Sequence, residues 1–210
     1  MISFHIMEQG KIAYVFPGQG SQCEGMGREL CESSEKARAV FNAADEVMGC
    51  KFSERIFTSD AESLRQTDMA QPAIYICSVA AAAALDNFEA CMVAGHSLGE
   101  FSALAAAGAI SFEDGLRLVC RRAYAMQKAC ELQPGTMAAI ILLPAERIEE
   151  LCEKVGDVVI ANYNNPGQIV VSGKLEAVRE LCSLAQDAGA KMAKVLNVGG
   201  AFHSNFMEPA

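Results

Sequence analysis

The chain is predicted to be an α/β protein: a layered domain built on a parallel sheet, carrying a small inserted α+β unit. Three observations predict it. Apolar strand-like runs end in glycine-rich turns that lead toward helices, at "KIAYVFPGQG" and "ACMVAGHSLG", as strands of a parallel sheet do. From residue 136 onward the segments alternate as β-α-β-β-α-β, the split ferredoxin-like order. A chain of 210 residues, 51% apolar and 20% charged, is large enough for one or two real cores.

The elements follow in order. Residues 11–16, "KIAYVF", read as a buried strand stopped by Pro17 and Gly18. Residues 33–48 read as a helix with Ser33 or Ser34 as cap and Gly49 as stop. "QPAIYICSVAAAAAL" reads as a helix with Pro72 in its first turn. "ACMVAG", residues 90–95, is a buried strand running into "HSLG". "LGEFSALAAAGA" has no breaker before Gly108, and "SFED" caps a helix reaching about Cys130. After "QPG" the insert begins. "TMAAIIL", "DVVIAN", "IVVSG" and "AKMAKVLN" are its strands, "YNNPGQ" its turn, and "PAERIEELCEKV" and "KLEAVRELCSLAQDAG" its helices. The expected domains are 1–133 with 197–210 for the layered domain and 134–196 for the insert.

Composition narrows the function. A net charge of −9 argues against a nucleic-acid partner. The start, "MISFHIMEQGK", lacks a secretory pattern, and the apolar stretch 73–85 is too short to span a bilayer. A cytoplasmic protein with no membrane partner is expected. Nine cysteines, none in a C-x-x-C pair, read as reduced residues, and no metal site is expected from three histidines.

"GHSLG" places Ser97 in a G-x-S-x-G pattern between a predicted strand and a predicted helix. That context makes it a nucleophile elbow: a sharp turn lifts the serine oxygen clear of the sheet, and small neighbours allow strand and helix to approach. The Leu98 amide, at the helix N-terminus, is the expected oxyanion donor. A serine needs a base. Of His5, His96 and His203, elimination favours His203, since His5 lies near the terminus and His96 points away across the elbow. No carboxylate is placed as a third member; Glu100 and Glu208 are only near in sequence. Arg121 and Arg122 are equal candidates for an anion site, about 100° apart on one helix.

Four strings in this order, "VFPGQGSQ", "GHSLGE", "NYNNPGQIVVSG" and "GAFHSNFMEP", resemble the malonyl-CoA:acyl carrier protein transacylases and the acyltransferase domains of fatty acid and polyketide synthases. The resemblance covers residues 11–209. It implies an α/β-hydrolase-like domain with a ferredoxin-like insert. It also implies ping-pong transfer of malonyl from malonyl-CoA to acyl carrier protein through Ser97, with His203 as base and the amides of Gln19 and Leu98 on the oxyanion. The arginine before "AYAMQ" selects Arg122 for the malonyl carboxylate, a task its planar fork suits. His96, Asn162, with Asn164 beside it, and Phe202 fall on the substrate side, with Phe202 alternatively packed core. No cofactor is implied beyond the substrates. Members of the family continue past the histidine motif, so the resemblance implies that the C-terminal part of the layered domain is missing here. Weak activity and self-association through the uncovered surface follow as expectations. The competing readings are a serine esterase or thioesterase and a fragment that acts only by association. Lys174, Lys191 and Lys194 are weak candidates for docking an acidic carrier protein.

Overall fold

A computed structural model describes the backbone of residues 6–8 and all of residues 11–210; His5 lies outside them. Two compact units divide the chain, Met1–Tyr124 and Ala125–Ala210.

The first unit contains β1 (Ile6–Glu8), β2 (Lys11–Phe16), α1 (Arg28–Ser33), α2 (Glu35–Met48), α3 (Phe52–Thr58), α4 (Thr67–Ala84), β3 (Met92–Gly95), α5 (Gly99–Ala106) and the first part of α6 (Phe112–Leu132). Its sheet has the order β1-β2-β3. β2 runs antiparallel to β1 and parallel to β3, with Phe16 opposite Gly95. Phe41, Phe52, Ile56, Ile74, Tyr75, Leu98, Leu116 and Val119 form the main core. The Tyr75 hydroxyl, inside that core, donates to the carbonyl of Phe112 at 3.0 Å, so burial leaves it satisfied.

Local chemistry sets several boundaries. Ser34 caps α2 by accepting from the Ala37 amide at 3.3 Å, a contact worth about 1 kcal/mol. Gly49 ends that helix in the left-handed region, at φ 64°. Ser111 accepts from the Asp114 amide at 3.1 Å at the start of α6. Three expectations are corrected. α4 begins at Thr67, so Pro72 sits in its second turn rather than its first. The proline removes one hydrogen-bond donor, and the burial of Thr67 and of residues 69–80 outweighs that loss. β3 is an edge strand rather than a buried one, with Met92 60% exposed. β1, α1 and α3 were not expected.

The second unit contains β4 (Thr136–Ile141), α7 (Ala145–Val155), β5 (Val158–Asn165), β6 (Gln168–Gly173), α8 (Leu175–Asp187) and β7 (Met192–Val195). The strands form one antiparallel sheet of order β5-β6-β4-β7. One face, with Ala138, Ile140, Val158, Ile169 and Val171, packs on Ile148, Leu151, Val178 and Leu181 of α7 and α8. The other carries Met137 and Val170 and packs on Met126, Cys130 and Phe202. This packing groups residues 197–210 with the second unit by compactness. The β5–β6 turn is tighter than "YNNPGQ" suggests: β5 runs to Asn165, whose Oδ1 accepts from the Gly167 amide at 2.8 Å.

Among the described residues, no helix is long and apolar enough to cross a membrane.

Candidate active site

Ser97 sits between β3 and α5 with φ 53°. A side-chain-bearing residue held there stores about 1–3 kcal/mol of strain. The surrounding backbone maintains it. The His96 amide donates to the Phe16 carbonyl at 3.0 Å, the Gly99 amide to His96 at 2.9 Å and the Glu100 amide to Ser97 at 3.1 Å. The flanking glycines are required by contact. A Cβ on Gly95 would overlap the backbone of Gly99 and Glu100, and one on Gly99 would overlap Phe16 and Pro17. Leu98 is fully buried, which anchors the helix start beside the serine.

The two arginines separate cleanly. Arg121 lies on the exposed side of α6, while Arg122 is partly buried. Arg122 Nη2 donates to Ser97 Oγ at 2.9 Å, and Nη1 donates to Oε1 of Gln71 at 2.6 Å. The guanidinium also lies 5.9 Å from the centroid of the Phe101 ring. Burial pulls its pKa down from the ordinary arginine value, and the charge of Glu100 works the other way. A permanently cationic fork is therefore fixed against the candidate nucleophile.

Gln19 lies in the loop after β2, where its Nε2 donates to Oγ1 of Thr67 at 3.2 Å. The same loop is tightened by Ser21, whose hydroxyl donates to the Gly18 carbonyl at 2.8 Å. Gly18 presses on His96: a Cβ there would collide with the His96 carbonyl and lie 2.9 Å from its Nδ1. His96 thus braces the loop that carries Gln19.

In the second unit, a bulge between Ile160 and Asn162 sets Asn162 opposite Val170. That places Asn162 on the sheet face that packs on Phe202. Asn164 donates to Gln168 Oε1 at 3.0 Å, across the hairpin. Phe202 is buried, 6% exposed, against Met126, Cys130, Met137 and Val170. His203 follows it, exposed and held at φ 57°. The turn is closed by Ser204, whose hydroxyl donates to the Ala201 carbonyl at 2.6 Å. Lys174, Lys191 and Lys194 are exposed.

Sequence reasoning passed over Gln71 and Phe101, both partners of Arg122. A single glutamine ahead of the long apolar run of α4 was the available signal for the first. Among the described residues, no group of three or more His, Cys, Asp or Glu side chains could hold a metal ion.

The chain matches the model of the acyl transferase domain over residues 13–210. It is 46% identical over 209 residues to the malonyl CoA-acyl carrier protein transacylase of Bacillus subtilis, covering 95% of this chain and 65% of that protein. The crystal structure of MCAT from Streptococcus pneumoniae superimposes with a TM-score of 0.86 at 42% identity, covering 94% of this chain and 66% of that one. A type II PKS acyl-carrier protein in complex with its malonyl-transacylase gives a TM-score of 0.89 at 37% identity, again covering 94% of this chain and 66% of that one. The chain thus spans about two thirds of the length of these relatives.

Proposed function

Because the chain belongs to the acyl transferase domain family, we propose that it moves a malonyl group from malonyl-CoA to the phosphopantetheine thiol of an acyl carrier protein. Ser97 Oγ attacks the thioester carbonyl as His203 takes its proton. The carbon–sulfur bond then breaks, the CoA thiolate leaves with that proton, and a malonyl ester of Ser97 remains. The carrier thiol gives its proton to His203, attacks the ester and regenerates the serine. The amides of Leu98 and Gln19 receive the oxyanion in both halves, where fixed donors act most strongly. Arg122 grips the free carboxylate of the acyl group. His96 and Asn162 support the substrate side, and the burial of Phe202 favours a packing role beneath His203. This chemistry calls for no metal ion and no cofactor, and the cytoplasm is its proposed location.

The observation that carries the reading is the 2.9 Å contact of Arg122 with Ser97 Oγ. A fixed cation at the nucleophile suits an acyl group that ends in a carboxylate, and an ordinary esterase has no use for it. The carrier protein as partner is supported by the complex among the similar structures.

Two finer structural readings accompany this. The first unit is read as α/β-hydrolase-like, supported by the parallel β2–β3 pair feeding the elbow. The segment 134–196 is read as a ferredoxin-like insert, supported by its strand order and its two helices on one face. The remainder, 1–133 with 197–210, is read as the layered domain, whereas compactness alone divides the chain within α6.

Intact-mass measurement after incubation with malonyl-CoA tests the proposal. The expected result is one malonyl adduct that is absent from Ser97→Ala, whose acylation rate falls by at least about 10⁴-fold. Rapid release of free malonate without a lasting adduct would instead mark a hydrolase. An adduct that survives Ser97→Ala would overturn the assignment of the nucleophile.

A further inference from the structure

We propose that Cys23 and Cys77 form a peroxide-sensitive dithiol, whose disulfide ties the loop carrying Gln19 to α4.

A cavity of about 270 Å³ opens beside that loop, and Pro17, Cys23, Leu30, Ile74 and Cys77 are among the residues that line it. Both thiols are free in this structure, Cys23 exposed and Cys77 buried. The chain is pressed onto the buried thiol. A Cβ on Gly27 would lie 2.7 Å from Cys77 Sγ, so glycine is what lets the backbone pass there. Cys23 stands four residues earlier, at the start of two linked turns. The Met26 amide donates to the Cys23 carbonyl at 3.1 Å, and the Arg28 amide to the Gly25 carbonyl at 3.2 Å. Gly25 is left-handed, at φ 72°, with open space beside it. The turns therefore have room to carry Cys23 inward, to the Cα separation of about 7 Å or less that a disulfide needs. Cys31 is the rival nearby. It packs on the main core from α1 and does not line the cavity.

Exposure sets the order of reaction. Peroxide attacks accessible thiolates. Burial, with the Cys23 and Cys31 sulfurs adding to it, pushes the Cys77 thiol up to about 12, which keeps it protonated and inert toward peroxide. Cys23 is therefore oxidised first: its sulfur attacks peroxide, the O–O bond breaks, and a sulfenic acid and water form. The Cys77 sulfur then attacks the Cys23 sulfur. The S–O bond breaks, and the hydroxyl leaves as water with the Cys77 proton. The two thiols together lose two electrons, one peroxide gains them, and two waters are released.

The loop is already tied to α4 once, by the bond from Gln19 Nε2 to Thr67 Oγ1 at 3.2 Å. Cys77 lies ten residues further along that helix, about 15 Å away. One tie lets the loop pivot, and a second tie at that distance does not. Oxidation thus stiffens the stretch that carries Gln19.

Oxidant titration of the full chain tests this. Reduced protein is treated with hydrogen peroxide, alkylated and digested without reductant. The expected product is a peptide pair joined through Cys23 and Cys77, two hydrogens lighter than its parts and separated by dithiothreitol. It is absent from Cys23→Ser and from Cys77→Ser, and it is retained in Cys31→Ser. Amide hydrogen exchange in residues 19–27 is expected to slow about 10-fold in the bridged protein. No bridge, a bridge between other cysteines alone, or a Cys23–Cys77 bridge that leaves exchange unchanged would overturn the proposal.

Discussion

Ser97 and His203 share a backbone conformation that residues with side chains seldom adopt, at φ 53° and φ 57°. The two turns are held by different means. Around Ser97 the restraint is backbone on backbone: Gly95 and Gly99 leave no room for a Cβ, and the amides of His96, Gly99 and Glu100 are all engaged. Around His203 the restraint is side-chain packing: Phe202 fills a pocket of apolar residues, and the Ser204 hydroxyl ties back to Ala201. A turn built from close-packed backbone cannot be altered without disturbing the sheet beneath it. A turn anchored by one aromatic ring can lose its exposed residue and keep its shape. Chemistry and stability should therefore be inseparable at the first and separable at the second.

Three substitutions test that contrast. Gly99→Ala is expected to have the largest effect, because a methyl group there meets the backbone of Phe16 and Pro17. Destabilisation of about 3 kcal/mol or more and loss of the malonyl adduct should occur together. Urea denaturation and intact mass read the two effects, and an adduct retained at the wild-type rate would show that the elbow tolerates relaxation. His203→Ala should lower the acylation rate by about 10²–10⁴-fold while stability stays within about 1 kcal/mol, because the ring is exposed. A large loss of stability in the same variant would erase the distinction between the turns. Phe202→Ala has the smallest of the three effects on acylation. It should cost about 3 kcal/mol through the cavity it leaves, with acylation reduced less than by His203→Ala. Thermal melting and labelling of one sample decide it.

What the sequence revealed depended on how local each cause is. The Ser34 cap, the Gly49 stop and the elbow are set by a few neighbouring residues, and all three were legible. Pro72 misled, because proline is familiar in a first helical turn. Here apolar burial carries the helix back to Thr67, past the proline. "ACMVAG" looked buried from its composition, yet β3 is an edge strand, and exposure depends on neighbours rather than on the string itself. Arg121 and Arg122 are not ranked by the residues alone, since helix packing decides which of them faces inward. Gln71 was invisible for a stronger reason: its partner lies 51 residues away, and no local spacing encodes that pairing.

The bulge in β5 has a consequence for how this strand can change. Up to Ile160 the strand alternates normally, and Ile160 pairs with Val171 on the helix-covered face. One extra residue then reverses the parity. Asn162 turns to the face of Val170, and Tyr163 turns toward α7, where its hydroxyl meets Glu149 at 2.8 Å. Deleting Ala161 would restore plain alternation and leave Ile160, Asn162 and Tyr163 opposite Val171, Val170 and Ile169 as they are now. The bulge thus works as a slack link, taking up one residue of length while Asn162 and Tyr163 keep their places against β6.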